Sequence, residues 1–169
     1  MPAGFFEQPT RVSSLWNALA GLGAECDEKL ALRNLVSLRL ERAGCTSAQL
    51  RGIVARNPGL RSLRLRKVRG VDEDFVNWLG SDANTCRSNL AALRIEECAN
   101  LELLQAEDYL WLSGLDGLTS LKIFGCARVD EKKLRGMYEG LKIKEVGAFD
   151  QTVDWRSDNG VLEVDESCL

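Results

Sequence analysis

The chain of 169 residues contains no histidine. Serine and cysteine nucleophiles that depend on an imidazole base are thereby excluded, and no G-x-S-x-G elbow appears. The six cysteines, at 26, 45, 86, 98, 126 and 168, include no CxxC pair, so the common zinc-ligand spacings are missing as well. Long apolar runs are also lacking. The densest, Leu15 to Ala24, is broken by Asn17 and falls far short of the ~20 residues that a membrane-spanning helix needs. The opening residues MPAGFFEQPTRVSSLW carry no basic stretch followed by an apolar core, the mark of a secretory signal. Together these absences predict a cytoplasmic or nuclear protein with reduced cysteines, no metal, no cofactor and no membrane partner.

What the chain does have is 45% hydrophobic and 28% charged residues with a formal net charge of -3, the profile of one soluble domain. Its strongest feature is internal repetition. The segment LVSLRLERAGC begins at Leu35, LRSLRLRKV at Leu60, LAALRIEEC at Leu90 and LTSLKIFGC at Leu118, each fitting L-x-x-L-x-[LI], and a fainter LKIKEV begins at Leu141. The starts lie 25, 30, 28 and 23 residues apart, against the ~20 to 29 of leucine-rich repeats. An amphipathic helix would also satisfy L-x-x-L, but the apolar residue at the sixth position lies off a helical stripe. The expected fold is therefore α/β: a leucine-rich-repeat solenoid with a curved parallel sheet on its concave face and helices on its convex face.

The second half of each repeat fits that reading. The ninth position holds Ala43, Val68, Cys98 and Cys126, expected to pack inward, and the twelfth holds Thr46, Val71, Leu101 and Val129, after which a helical stretch follows. Helices are expected over Ala48 to Ala55, Glu73 to Leu79 and Glu131 to Tyr138, with ends at Asn57-Pro58-Gly59 and Gly80. Residues 1–34 read as an N-terminal cap or partial repeat, its helical part over Ser13 to Leu30, and 35–146 as the repeats. Residues 147–169 read as a C-terminal cap and acidic tail, with a short strand at Val161-Leu162-Glu163-Val164.

The run L-x-x-L-x-L-x-x-C, followed by a turn, an apolar residue and a helix, resembles the cysteine-containing class of leucine-rich repeats found in F-box proteins. NLAALRIEECANLELL and LTSLKIFGCARV are equally similar to repeats of plant intracellular immune receptors. The likeness covers residues 35 to 146 and implies a recognition surface, such as that of a ubiquitin-ligase adaptor or an immune-receptor-like ligand reader. Two departures accompany it: the N-terminal segment lacks the Leu-Pro opening usual in F-boxes, and no G-x-x-x-x-G-K-[ST] nucleotide site is present.

Side chains alternate along a strand, so residues between the core leucines should form outward columns. The central column reads Arg39, Arg64, Arg94 and Lys122, the next Glu41, Arg66, Glu96 and Phe124, and the preceding one Ser37, Ser62, Ala92 and Ser120. Four stacked cations, partly relieved by Glu41 and Glu96, point to a face for an acidic or carboxylate-rich protein partner. Expected binding residues are Arg39, Arg64, Arg66, Arg94, Lys122 and Phe124, and charge reversal at Arg64 and Arg94 is expected to leave folding intact. Basic residues crowd Arg33 to Gly70 and acidic ones Glu145 to Leu169, which points to an acidic partner or to self-association through opposite ends. The basic region also admits nucleic acid as a rival partner, though Phe124 is the only aromatic in the columns. The acidic runs at Asp72-Glu73-Asp74 and Asp130-Glu131 sit where helices should begin, which is a dipole role rather than a catalytic one. The chain is expected not to be an enzyme.

Overall fold

A computed structural model describes residues 9–23, 31–130, 132–134, 145–146 and 161–165. It is a mixed α/β structure built on a parallel sheet. Four central strands, β1 (Ser37–Glu41), β2 (Ser62–Arg66), β3 (Ala92–Glu96) and β5 (Ser120–Phe124), lie side by side in that order. Each begins at the third residue of an L-x-x-L-x-[LI] segment. Pairing is in strict register: Leu38, Leu63, Leu93 and Leu121 are level with one another, as are Leu40, Leu65, Ile95 and Ile123. All eight are buried in one core. Period-2 alternation places both rows on one side of the pleat, and a one-residue slip would turn every one of them into solvent.

Helices cover that side. Helix α1 (Pro9–Ala20) packs on α2 (Ser47–Ala55), α2 on α3 (Glu73–Leu79), and α3 on a 3₁₀ helix (Ala106–Gly114). Leu50, Ile53, Val54, Phe75 and Leu79 reach the same core as the strand leucines. Helix starts are encoded by their caps. The Thr46 hydroxyl accepts from the Gln49 N–H while the Gln49 side chain accepts from the Thr46 N–H, and the Asp72 carboxylate accepts from the Phe75 N–H at 2.8 Å. Glu73 and Asp74 fill the first turn of α3, where carboxylates complement the helix dipole. The N–H groups of Lys132 and Lys133 are likewise held by the Asp130 carboxylate.

The ninth-position residues Ala43, Val68, Cys98 and Cys126 are all buried. At the twelfth position Val71 and Leu101 are buried and Val129 partly so, whereas Thr46 is exposed as a helix cap, and Cys45 takes the buried place that Val71 fills in the next repeat. The first repeat is therefore one residue shorter before its helix. Between β3 and β5 the connection carries a two-residue strand β4 (Glu102–Leu103) and the 3₁₀ helix; β4 pairs in parallel with β6 (Arg128–Val129). Close approach shapes this stretch. A Cβ on Gly80 would collide with the backbone of Trp111, and one on Gly114 with the carbonyl of Gly80.

Two further strands flank the four. β7 (Glu145–Val146) lies beside β5 with Glu145 level with Ser120, two residues later than a copy starting at Leu141 would place it. The expected strand near Val161 is present as β8 (Val161–Asp165), and it pairs in parallel with β1, at the edge of the sheet opposite β7. In the N-terminal segment α1 starts earlier than expected, at Pro9, a residue preorganised for the first helical turn. Cys26, Cys168, the rest of the helix expected over Glu131 to Tyr138, and most of the proposed acidic tail lie outside the described residues.

Candidate interaction surface

The face of the sheet turned away from the helices carries the residues expected for binding. Register pairing sets Arg39, Arg64, Arg94 and Lys122 in one row and Glu41, Arg66, Glu96 and Phe124 in the next. All six expected residues, Arg39, Arg64, Arg66, Arg94, Lys122 and Phe124, are thus brought together. Adjacent strands are about 4.8 Å apart, so the four cations of the first row are close neighbours.

Carboxylates bind this row together. Glu96 is only 2% exposed, and its oxygens are bonded by Arg94 Nε and, at 3.3 Å, by Arg64 Nη2, with Arg66 Nε 4.0 Å away. Arg66 also pairs with Glu41 at 2.7 Å and with Glu97 at 2.9 Å, and Arg39 reaches Glu41 at 3.5 Å. Lys67 closes on the other oxygen of Glu97 at 3.1 Å. The result is one network across three strands. Its energetic core is Glu96, because a carboxylate taken out of water is tolerated only where cations and donors surround it. The expectation that Arg64 and Arg94 can be reversed without harm to folding therefore fails: both hold a buried carboxylate. The column of Ser37 and Ser62 departs from its expected exposure too, since both are buried.

Glu97 and Lys67 were not legible as partners, because they follow the strands rather than lie within them. Both have positive φ, as do Arg42 and Gly125 at the equivalent place in the other repeats, with φ of 53, 53, 51 and 71° in chain order. Each of the first three donates its N–H to the last carbonyl of the next strand: Arg42 to Arg66, Lys67 to Glu96 and Glu97 to Phe124. At Lys67 and Glu97 this left-handed turn leaves side chains that join the ion pairs of the open face. Spacing from the repeat start is the signal that would have found them. Hydrogen bonds from Lys67 and Arg66 hold the Glu97 carboxyl below its ordinary range, and contact with Glu97 and then Glu41 raises Arg66.

Phe124 stands at the far side of this face and is 40% exposed. It is the apolar contact available beside Lys122. Cys45, Cys86, Cys98 and Cys126 are free and buried, with burial pushing Cys98 up to about 12 and Cys86 up to about 11. Among the described residues no group of three or more Cys, Asp and Glu side chains is placed to hold a metal ion, and no helix is long and apolar enough to cross a membrane. No protein-family model matches the chain, and a search of curated proteins finds no match to it either.

Proposed function

We propose that this chain is a leucine-rich-repeat solenoid of the cysteine-containing type that binds an acidic segment of a partner protein through its open, concave face, as a recognition module rather than an enzyme. The observation that carries this reading is the unbroken row Arg39–Arg64–Arg94–Lys122, in register on adjacent strands. On the four central strands two carboxylates, Glu41 and Glu96, answer five cations, which leaves these strands a surplus of positive charge. Arginines already oriented by neighbouring carboxylates lose less side-chain freedom on meeting a carboxylate ligand, and their fork geometry suits paired bonds. F-box-type adaptors and plant immune receptors use repeats like these for recognition, which fits the same role.

The test uses a fluorescein-labelled polyglutamate peptide and the 169-residue chain. Lys122→Glu together with Phe124→Ala removes none of the three arginines named around Glu96 and should weaken binding at least tenfold, while Arg51→Glu on α2 should leave it unchanged. Rising salt should weaken the wild-type complex in step. Equal loss in both variants, or no binding at low salt, overturns the proposal. Duplex DNA that binds more tightly than polyglutamate at ~150 mM salt would replace the protein partner by nucleic acid.

A further inference from the structure

The outer edge of β1 is the place where a repeat preceding Leu35 would add its strand, and the chain fills it with β8. The match is position by position. Leu162 and Val164 stand level with the core residues Leu38 and Leu40, while Glu163 and Asp165 stand level with the open-face residues Arg39 and Glu41. By register Glu163 takes the position next to Arg39 in the row of four cations, and Leu162 and Val164 take the positions next to Leu38 and Leu40. A one-residue slip would place both acids in the core rows, so pattern and charge select the same pairing. Val161–Asp165 belongs to the acidic C-terminal stretch and β1 to the basic Arg33 to Gly70 region.

Backbone groups identify the acceptor. The Val36 carbonyl and the Arg42 N–H both bond β2. Strand alternation therefore turns the N–H and C=O of Ser37, Arg39 and Glu41 toward the outer edge. In a parallel ladder such groups bond the residues flanking their opposite number, so those of Arg39 face Leu162 and Val164. No proline interrupts Val161–Asp165, so each of its residues carries a backbone N–H. The fourteen residues 147 to 160 separate β8 from β7. At ~3.3 Å per residue they are long enough to span the five strand spacings, about 24 Å, between the two edges.

We propose that the outer edge of β1 is a strand-acceptor site for extended segments alternating apolar and acidic residues, and that Val161–Asp165 is its built-in occupant, closing the edge against outside segments. A tether of this length gives the occupant an effective concentration on the order of millimolar, so an outside segment competes only when it binds more tightly or when β8 is released. Strand addition of this kind draws affinity from the main chain and selectivity from alternate side chains. This inference rests on the sheet edge and not on the open-face reading, and the Lys122 and Phe124 variants do not bear on it.

The experiment uses the full chain, a fluorescein-labelled peptide of residues 158–167, and amide hydrogen exchange. Val164→Pro removes the N–H that faces Arg39. It should raise peptide affinity at least tenfold over wild type and speed exchange of the Arg39 and Glu41 amides, which slow again when peptide is added. Leu93 serves as the folding control. If Val164→Pro also exposes the Leu93 amide, Glu163→Lys takes its place: it keeps every donor, extends the cation row and should raise peptide affinity at least threefold. Equal peptide affinity for wild type and for the variant that stays folded overturns the proposal. So does exchange at Arg39 and Glu41 that the substitution leaves unaltered. Protection of those amides that vanishes on dilution, together with a concentration-dependent dimer, would assign the occupant to a second copy and overturn closure within one chain.

Discussion

Asn57 shows how much of this structure hangs on single polar side chains. It is 1% exposed, donates through Nδ2 to the carbonyls of Ile53 at 2.7 Å and Leu32 at 3.2 Å, and accepts the Leu35 N–H at 2.8 Å. It therefore ties the end of α2 to the chain entering the first repeat. Truncating it strands one N–H and two carbonyls away from water, so Asn57→Ala should cost about 2 to 3 kcal/mol, read as a lower urea midpoint with unchanged slope. In the sequence Asn57 was legible only as a helix stop before Pro58-Gly59, because a buried triple bond depends on partners 4, 22 and 25 residues away. Cys98 was more transparent. Its repeat position is shared with Ala43 and Val68, and burial raises its thiol far above neutral pH. A maleimide or iodoacetamide reagent should leave Cys98 and Cys126 unlabelled in the native protein and label both after unfolding; rapid native labelling would contradict their core assignment.

At the scale of the element, strands were legible and some connections were not. L-x-x-L-x-[LI] fixes a pleat, an inward face and a start, and the four central strands begin where that pattern puts them. Two of the expected helices, α2 and α3, also appear within one residue of expectation. The 28-residue step from Leu90 to Leu118 behaves differently, because β4 and a 3₁₀ helix fill it. The Tyr109 hydroxyl reaches the carbonyls of both Leu103 and Asp130, at 2.8 and 2.9 Å, linking this connection to the next one. Such a tie is tertiary and leaves no periodic trace. Leu93 sits between the rows of β2 and β5 and leans on both neighbours. Leu93→Ala should therefore destabilise the whole array by about 2 to 5 kcal/mol, seen as one cooperative transition moved to lower temperature. An unchanged midpoint would mean that the rows do not form a common core.

Across the whole molecule, the sheet carries its charge as a network rather than as separate sites. Which residues share the open face was legible from alternation, but how deeply Glu96 is buried was not, since that depends on the crowding of Arg64, Arg66 and Arg94 around it. The placement of β8 beside β1 was equally hidden, because a five-residue strand pattern states its faces and not its neighbour. Glu96 permits a decisive comparison. Replacing Arg64 and Arg94 with Ala removes both of its closest cations and leaves a carboxylate buried without compensation, at roughly 3 kcal/mol, toward the lower end of buried pairs because the arginines are partly exposed. Reversal of both to Glu should cost more, since like charges then face Glu96. Adding Glu96→Gln to the double alanine variant removes the buried charge and should return most of that loss. Chemical unfolding of wild type, the double alanine variant, the single Glu96→Gln variant and the triple variant closes the cycle. If the double and triple variants are equally destabilised, Glu96 is not the anchor of the network, and the arginines on this face are held by something other than its charge.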